Sequence, residues 1–329
     1  VATHPSQPVS SGPRLLADIG GTNARFAWQA GPGQPMSDLR VLPGADFPTL
    51  ADAAQAYLTG IGQGAPTEAA IAIANPIEGD WVSMTNHHWR FSQRELAQRL
   101  GVSRLKMLND FTALALALPD IPAHELRQVG TGQAQPRAAI GLLGAGTGLG
   151  VSGLVPQAGG GWAPLQGEGG HTTLPAQGAR EWAVQAGLER LHGHPSAERA
   201  LSGQGVLDTY RVLCTLDGVD AGCAQPSEVT AAALAATDVR AEEALTLFCA
   251  WLGSVAGNLA LTLGAKGGVY VGGGIVPRLG AWFDRSPFRS RFEAKGRFQG
   301  YLAAVPTWVI TSPQSPALWG AIRALDQAD

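Results

Sequence analysis

Asn109-Asp110 is the pair in this chain placed to do proton chemistry on a hydroxyl group. It falls between a short apolar strand and the start of an apolar helix. An Asn-Asp pair in that place reads first as a helix N-cap. An aspartate there is also held ionised by the helix dipole and can accept a proton from a hydroxyl. Glu168 and His171 lie in Gly167-Glu168-Gly169-Gly170-His171, a glycine-flanked loop without hydrophobic anchors. Such a loop is costly to order unless it has a task, and is otherwise a flexible surface loop. Glu198, in Pro195-Ser196-Ala197-Glu198-Arg199, would alone be a routine first-turn acid on a helix. Together with Asn109, Asp110 and His171, these carboxylates are the polar groups that sugar recognition uses, bonding pairs of ring hydroxyls. They do not have the make-up of a metal site. His87, His88, His192 and His194 are not spaced on one helical face and read as incidental or structural.

A second kind of chemistry comes from glycine. Gly20-Gly21-Thr22-Asn23 and Gly144-Ala145-Gly146-Thr147-Gly148 each stand between two short apolar runs, so each reads as the turn of a β-hairpin. Glycines let backbone N–H groups close on an anion, and the Thr and Asn side chains add donors, so two such turns suggest a clamp on phosphate. The chain has only three lysines, Lys106, Lys266 and Lys295, and none follows a glycine, so there is no P-loop. A nucleotide would therefore be held by backbone amides and Mg²⁺. Asp18 ends its strand beside the first turn, where a carboxylate could reach Mg²⁺, directly or through water. Gly148-Leu149-Gly150-Val151-Ser152-Gly153 fits the G-x-G-x-x-G dinucleotide pattern. Its glycines fall inside the second strand of a hairpin instead of opening a helix, so the match is discarded.

The elements that must carry these residues follow from periodicity and caps. Strands are expected at 15–19, 24–28, 69–74, 106–108, 140–143, 149–155 and 269–271. Helices are expected at 49–57, 92–100 (opened by the capping box Ser92-Gln93-Arg94-Glu95), 111–118, 178–191, 196–201, 203–213, 227–236 and 239–263. Gly20 and Gly146 are 126 residues apart, about a domain's length, which makes this a duplicated motif and not a short repeat. At 329 residues the chain exceeds what one core usually serves, so two α/β domains or lobes are expected. Hydrophobic residues are 45% and charged residues 15% of the chain, which excludes a disordered protein. A net charge of −3 gives no reason to expect nucleic acid or an anionic membrane as partner. Residues 244–265 run without a charge and are long enough to span a bilayer. Their internal polar residues and the absence of flanking Arg/Lys clusters favour a buried core helix in a soluble protein. Cys214, Cys223 and Cys249 show no zinc or disulfide spacing, which fits a reducing cytoplasm. Residues 1–13 carry no apolar segment for a signal peptide and are expected to form a flexible leader.

Taken together, Leu16-Ala17-Asp18-Ile19-Gly20-Gly21-Thr22-Asn23-Ala24-Arg25 resembles the first phosphate motif of the bacterial ATP-dependent glucokinases. Similar to that family in turn are Ala74-Asn75-Pro76 with Gly79-Asp80-Trp81, Met84-Thr85-Asn86-His87 with Trp89, and Leu108-Asn109-Asp110-Phe111-Thr112-Ala113. Residues 144–150, 167–171 and 272–278 complete the series, in family order. The related repressor/kinase group with a Cys-rich zinc loop is a poorer match. The resemblance implies an α/β, two-lobed, actin-like (ribonuclease H-like) sugar-kinase fold with a duplicated core around a central cleft. It implies a small domain of residues 14–120 plus 312–329 and a large one of 121–311. It further implies Asp110 as catalytic base, with Asn109, Glu168, His171 and Glu198 joining it on glucose. ATP phosphates would be held by Gly20, Gly21, Thr22 and Asn23 and by Gly144, Gly146, Thr147 and Gly148. Gly272, Gly273 and Gly274 would back the adenosine, and Asp18 would serve Mg²⁺. The expected protein is a cytoplasmic, homodimeric glucokinase that moves the γ-phosphoryl group of ATP to the 6-hydroxyl of glucose. A kinase of another hexose on the same fold is the alternative. A non-catalytic sugar-sensing regulator is a weaker one, because residues 1–14 are too short for a helix-turn-helix.

Overall fold

The computed structural model describes residues 12–84 and 87–327. The leader expected over 1–13 therefore lies outside the described residues as far as residue 11, and so do Thr85 and Asn86 of the Met84–His87 motif. The carbonyl of Pro13 already accepts the Thr67 N–H at 2.8 Å. The chain divides into two compact units, Val1–Ile121 with Ser312–Asp329 and Pro122–Thr311.

In the first unit the strands are β1 (Arg14–Ile19), β2 (Asn23–Gln29), β3 (Met36–Pro43), β4 (Glu68–Ile73), β5 (Trp81–Ser83), β6 (Arg90–Ser92) and β7 (Arg104–Asn109). The main sheet has the order β3-β2-β1-β4-β7, with β1, β4 and β7 parallel and β5-β6 a separate hairpin. β1 and β4 are buried along their whole length, which is why LLADI and EAAIAI read as continuous apolar runs without alternation. One face of the sheet, with Leu15, Ala17, Ile71 and Ile73, packs on Tyr57, Leu58 and Leu96 of the helices Leu50–Ile61 and Gln93–Leu100. The other, with Leu16 and Ala70, packs on Leu318, Ala321 and Leu325 of the helix Ala317–Asp326. Gly320 lets that helix approach the helix Asp110–Ala117 closely, because any Cβ there would overlap the Ala113 carbonyl.

The amino ends of the parallel strands fasten this returning helix. Arg14, fully buried, donates from Nε to Glu68 at 2.9 Å and from Nη1 to Asp326 at 2.7 Å. Arg104 donates to the carbonyls of Leu325 and Gln327 at 2.9 and 2.8 Å. The buried Arg14 guanidinium is tolerated here because Glu68, Asp326 and the Gln29 side chain receive its Nε and Nη1 donors.

In the second unit the strands are β8 (Leu126–Gln128), β9 (Ile140–Ala145), β10 (Leu149–Pro156), β11 (Trp162–Gly167), β12 (Val269–Gly272) and β13 (Thr307–Ile310). Their order is β11-β10-β9-β12-β13-β8. Without β8 this repeats the connectivity of the first sheet, strand for strand, so the duplicated hairpin is the visible part of a duplicated core. Of the discarded dinucleotide glycines, Gly150 and Gly153 lie in β10, antiparallel to β9, and Gly148 lies in the turn before it. The helix Val239–Leu263 is the one described helix long and apolar enough to cross a membrane, and most of it is buried within this unit. It packs on the helices Gly203–Asp217, Pro226–Leu234 and Phe288–Glu293.

Candidate active site

In each unit the residues singled out from sequence lie at the carboxyl ends of parallel strands and in the loops that follow, where open α/β sheets bind their ligands. In the first unit, β1 ends on Asp18-Ile19 and turns through residues 20–22 into β2. Strand register sets Asp18 opposite Arg25, and the Arg25 Nη1 lies 3.3 Å from one Asp18 oxygen. Arg25 stands in the quoted motif, but its pairing with Asp18 becomes visible only once the hairpin register is known. The Gly20 N–H donates to the Asn23 carbonyl at 3.0 Å, closing the turn on itself. Gly20 thus shapes the turn, and its N–H is engaged within it. Among the described residues, the N–H groups of Gly21 and Thr22 donate to no group, and both residues are exposed.

β7 ends on Asn109, and the helix Asp110–Ala117 begins at once. The capping oxygen is that of Asn109, which accepts the N–H of Phe111 at 2.9 Å and of Thr112 at 3.2 Å. Its amide nitrogen lies 3.5 Å from the Asn75 carbonyl, in the turn that ends β4. Asp110 accepts the Phe111 N–H at 2.9 Å. The cap and the candidate base are therefore neighbouring residues with separate duties. In the adjoining hairpin motif, the Ser92 hydroxyl and the Arg94 N–H hold the Asp80 carboxyl below its usual range. Burial, and then the neighbouring His88, push the His87 imidazole down.

In the second unit, β9 ends on Gly144-Ala145 and turns through residues 146–148 into β10. Gly146 closes this turn as Gly20 closes the first, donating to the Gly148 carbonyl at 2.8 Å. The N–H groups of Thr147 and Gly148 donate to none of the described residues. Gly144 faces Gly272 across the parallel pair β9-β12, and a Cβ on Gly144 would lie 2.6 Å from the Gly272 carbonyl carbon. Gly273 has φ +79°, and its Cβ would overlap the Ala145 carbonyl. Gly144 and Gly273 are required by the approach of two backbones. Gly274 has nothing within 4 Å of the place its Cβ would take, so it faces open space.

Gly167 ends β11, and residues 169–171 form a 3₁₀ turn. The loop expected to lack hydrophobic anchors is in fact seated on β10, Gly169 against Val151 and Gly170, itself buried, against Leu149. Glycine supplies the anchor by bringing main chain against main chain, which a search for apolar side chains does not see. The side chains of Glu168 and His171 are exposed and make no hydrogen bond among the described residues. Glu198, in the short helix Ala197–Ala200, accepts the Leu149 N–H through Oε2 at 2.9 Å, a link that the sequence did not reveal. Of the histidines read as incidental, His192 bonds Asp208 at 3.0 Å and His194 bonds the Thr173 hydroxyl at 3.1 Å, both structural roles.

The comparisons with known proteins agree on one family. A family model described as Glucokinase matches residues 15–328. The chain is 54% identical over 313 residues to a glucokinase of Chromobacterium violaceum, covering 95% of this chain and 89% of that protein. Among solved structures it is similar to a glucokinase from an Antarctic psychrotroph, at 34% identity and a TM-score of 0.87, covering 96% of this chain and 99% of the other. A ROK family glucokinase from Streptomyces griseus, in complex with glucose and AMPPNP, shares the fold at 19% identity and a TM-score of 0.61, covering 96% and 99%.

Proposed function

The chain belongs to the glucokinase family, with the two-lobed actin-like sugar-kinase fold, and we propose that Asp110 is the base with which it phosphorylates glucose from ATP. Asp110 accepts the proton of the 6-hydroxyl as that oxygen bonds to the γ-phosphorus, and the bond from phosphorus to the bridging oxygen of ADP breaks. Little covalent work falls to the protein in phosphoryl transfer, so positioning and charge neutralisation do most of the catalysis. Asn109, Glu168, His171 and Glu198 hold the sugar hydroxyls. The N–H groups of Gly21, Thr22, Thr147 and Gly148 face the phosphates, and Gly274 the nucleoside.

Mg²⁺ fits the donor set at Asp18. Its second oxygen makes no hydrogen bond among the described residues, and a single carboxylate supplemented by water and phosphate oxygens is how this ion is commonly held beside a nucleotide. When bound it supplies charge neutralisation on the phosphates. Arg25 holds the Asp18 carboxylate in place.

The observation that carries this assignment is positional: Asp18, Asn109 and the residues around Gly144 and Gly272 lie at the ends of parallel strands in two sheets that share one order apart from β8, and Asp110 opens the helix that follows Asn109. A cytoplasmic location is supported by three unpaired thiols, and a homodimer by the resemblance alone, which light scattering tests. A coupled assay with ATP and a panel of hexoses tests the substrate. Glucose should exceed fructose and mannose in kcat/KM by about tenfold or more, the discrimination that one well-made hydrogen bond supplies. A larger value for either competitor removes the glucose assignment and leaves a kinase of another hexose.

A further inference from the structure

Leu149 is the residue on which the sugar side and the nucleotide side of the second unit meet. Its N–H donates to Glu198 Oε2 at 2.9 Å. Its carbonyl is covered by Gly170 of the Glu168–His171 turn, where any Cβ would overlap the oxygen. One residue earlier, a Cβ on Gly148 would overlap Glu198 Oε2 itself. The helix that carries Glu198 is tied to the same turn, since the Ala197 N–H donates to the Thr172 carbonyl at 2.7 Å and Ser196 pairs with Thr173. At the other end of the nucleotide turn, the Gly146 carbonyl accepts the Gly203 N–H at 2.9 Å. Glu198, Glu168 and His171 thus form one hydrogen-bonded piece that touches the nucleotide turn at Leu149. Glu198 Oε1 accepts no hydrogen bond from the described residues.

We infer that Glu198 is a positioning residue for the nucleotide turn as well as a sugar ligand, and that it couples the two sites through its two oxygens. The inference rests on the proposed role of Glu198 on sugar. Oε1 takes a sugar hydroxyl while Oε2 holds the Leu149 N–H and, through it, the Thr147 and Gly148 amides. Without sugar the carboxylate is hydrated and its torsions are free, so its hold on Leu149 competes with water. A sugar hydroxyl fixes the carboxylate, and the turn is then already ordered when nucleotide arrives. The ordering entropy is met once for two ligands, which is positive coupling. By linkage the effect is reciprocal: nucleotide tightens sugar by the same factor as sugar tightens nucleotide.

The test is calorimetry on the full chain with glucose and MgAMPPNP, alone and together, joined to amide exchange at Leu149. In the wild type, saturating glucose should tighten AMPPNP by about 5- to 150-fold, the usual span of coupled sites, and slow exchange at Leu149. Gly148→Ala pushes the carboxylate off Leu149 while leaving it in the protein. Glu198→Asp keeps the charge but is too short to serve both partners. In each, with glucose raised until it saturates the variant, the factor should fall to about 1 and Leu149 should exchange at the same rate with and without glucose. Two variants guard against one failing to fold. Retention of the wild-type factor in both overturns the coupling. So does a wild type that binds and phosphorylates glucose yet shows a factor of 1, and in that case the proposed activity stands. A wild type that binds no glucose removes the sugar reading and the coupling with it.

Discussion

The hairpins β1-β2 and β9-β10 occupy the same place in two sheets of the same order, yet they carry opposite contents. Two residues before the first turn stands Asp18, opposite Arg25; two residues before the second stands Gly144, opposite Gly150. The strand beside them differs in the same sense, with Ala72 next to Asp18 and Gly272 next to Gly144. Even the loops beyond are tied alike, the Ala74 N–H to the Ile19 carbonyl at 3.1 Å and the Ile275 N–H to the Ala145 carbonyl at 3.2 Å. Duplication supplied one platform twice. The first copy placed charge on it, and the second removed side chains so that bare backbone could come close. In the function proposed above, the first serves the metal-bearing phosphate tail and the second backs the nucleoside.

If the first copy is the charged, chemical one, its losses should be kinetic and leave stability alone. The largest is expected for Asp110→Ala, with kcat lower by about 10²–10⁴-fold, the worth of a general base, and glucose affinity much less affected. Retention of a tenth of wild-type kcat would remove Asp110 from the role of base. The second copy should fail in the opposite manner. Gly144→Val sets a branched side chain against the Gly272 backbone and should cost about 3 kcal/mol or more in urea unfolding. A loss under about 1 kcal/mol would mean that the two backbones can separate and that the comparison is too rigid. Asp18→Asn should raise KM for MgATP or lower kcat by about tenfold while thermal stability stays near wild type. An unchanged dependence on Mg²⁺ would take the metal away from Asp18. The smallest effect distinguishes two adjacent glycines. Gly274→Ala should change stability by no more than about 0.5 kcal/mol, with any effect confined to KM for ATP, because its surroundings are open. Gly273→Ala, strained by φ +79° and overlapping Ala145, should be the more damaging of the pair to stability.

What could be read from the sequence was whatever is local. Each hairpin announces itself by a Gly/Thr turn between apolar runs, and the helix starts at Gln93 and Asp110 are marked by the caps Ser92 and Asn109, two or three residues from the groups they serve. Some of the elements missed are those whose reason lies elsewhere in the chain. β3, MSDLRVLP, is an exposed edge strand held by β2 alone, so it has no buried face to impose a period. The short helices between Ala281 and Ala303 bury Phe283, Phe288, Phe292 and Leu302, but each is too brief to show helical periodicity. At the site, residue types were legible and partnerships were not. Arg25 finds Asp18 only through register, and Glu198 finds Leu149 across 49 positions.

The arginine cluster at the amino end of the first sheet sets a timetable for synthesis. Arg14 and Asp326, which pair, are made 312 positions apart. At roughly 5–20 residues per second, about 15–60 s separate the two. Through that interval the strands of the first unit stand without the helix that covers their second face, and the second unit completes its sequence, at Thr311, before that helix is made. The unit begun before the other is closed after it.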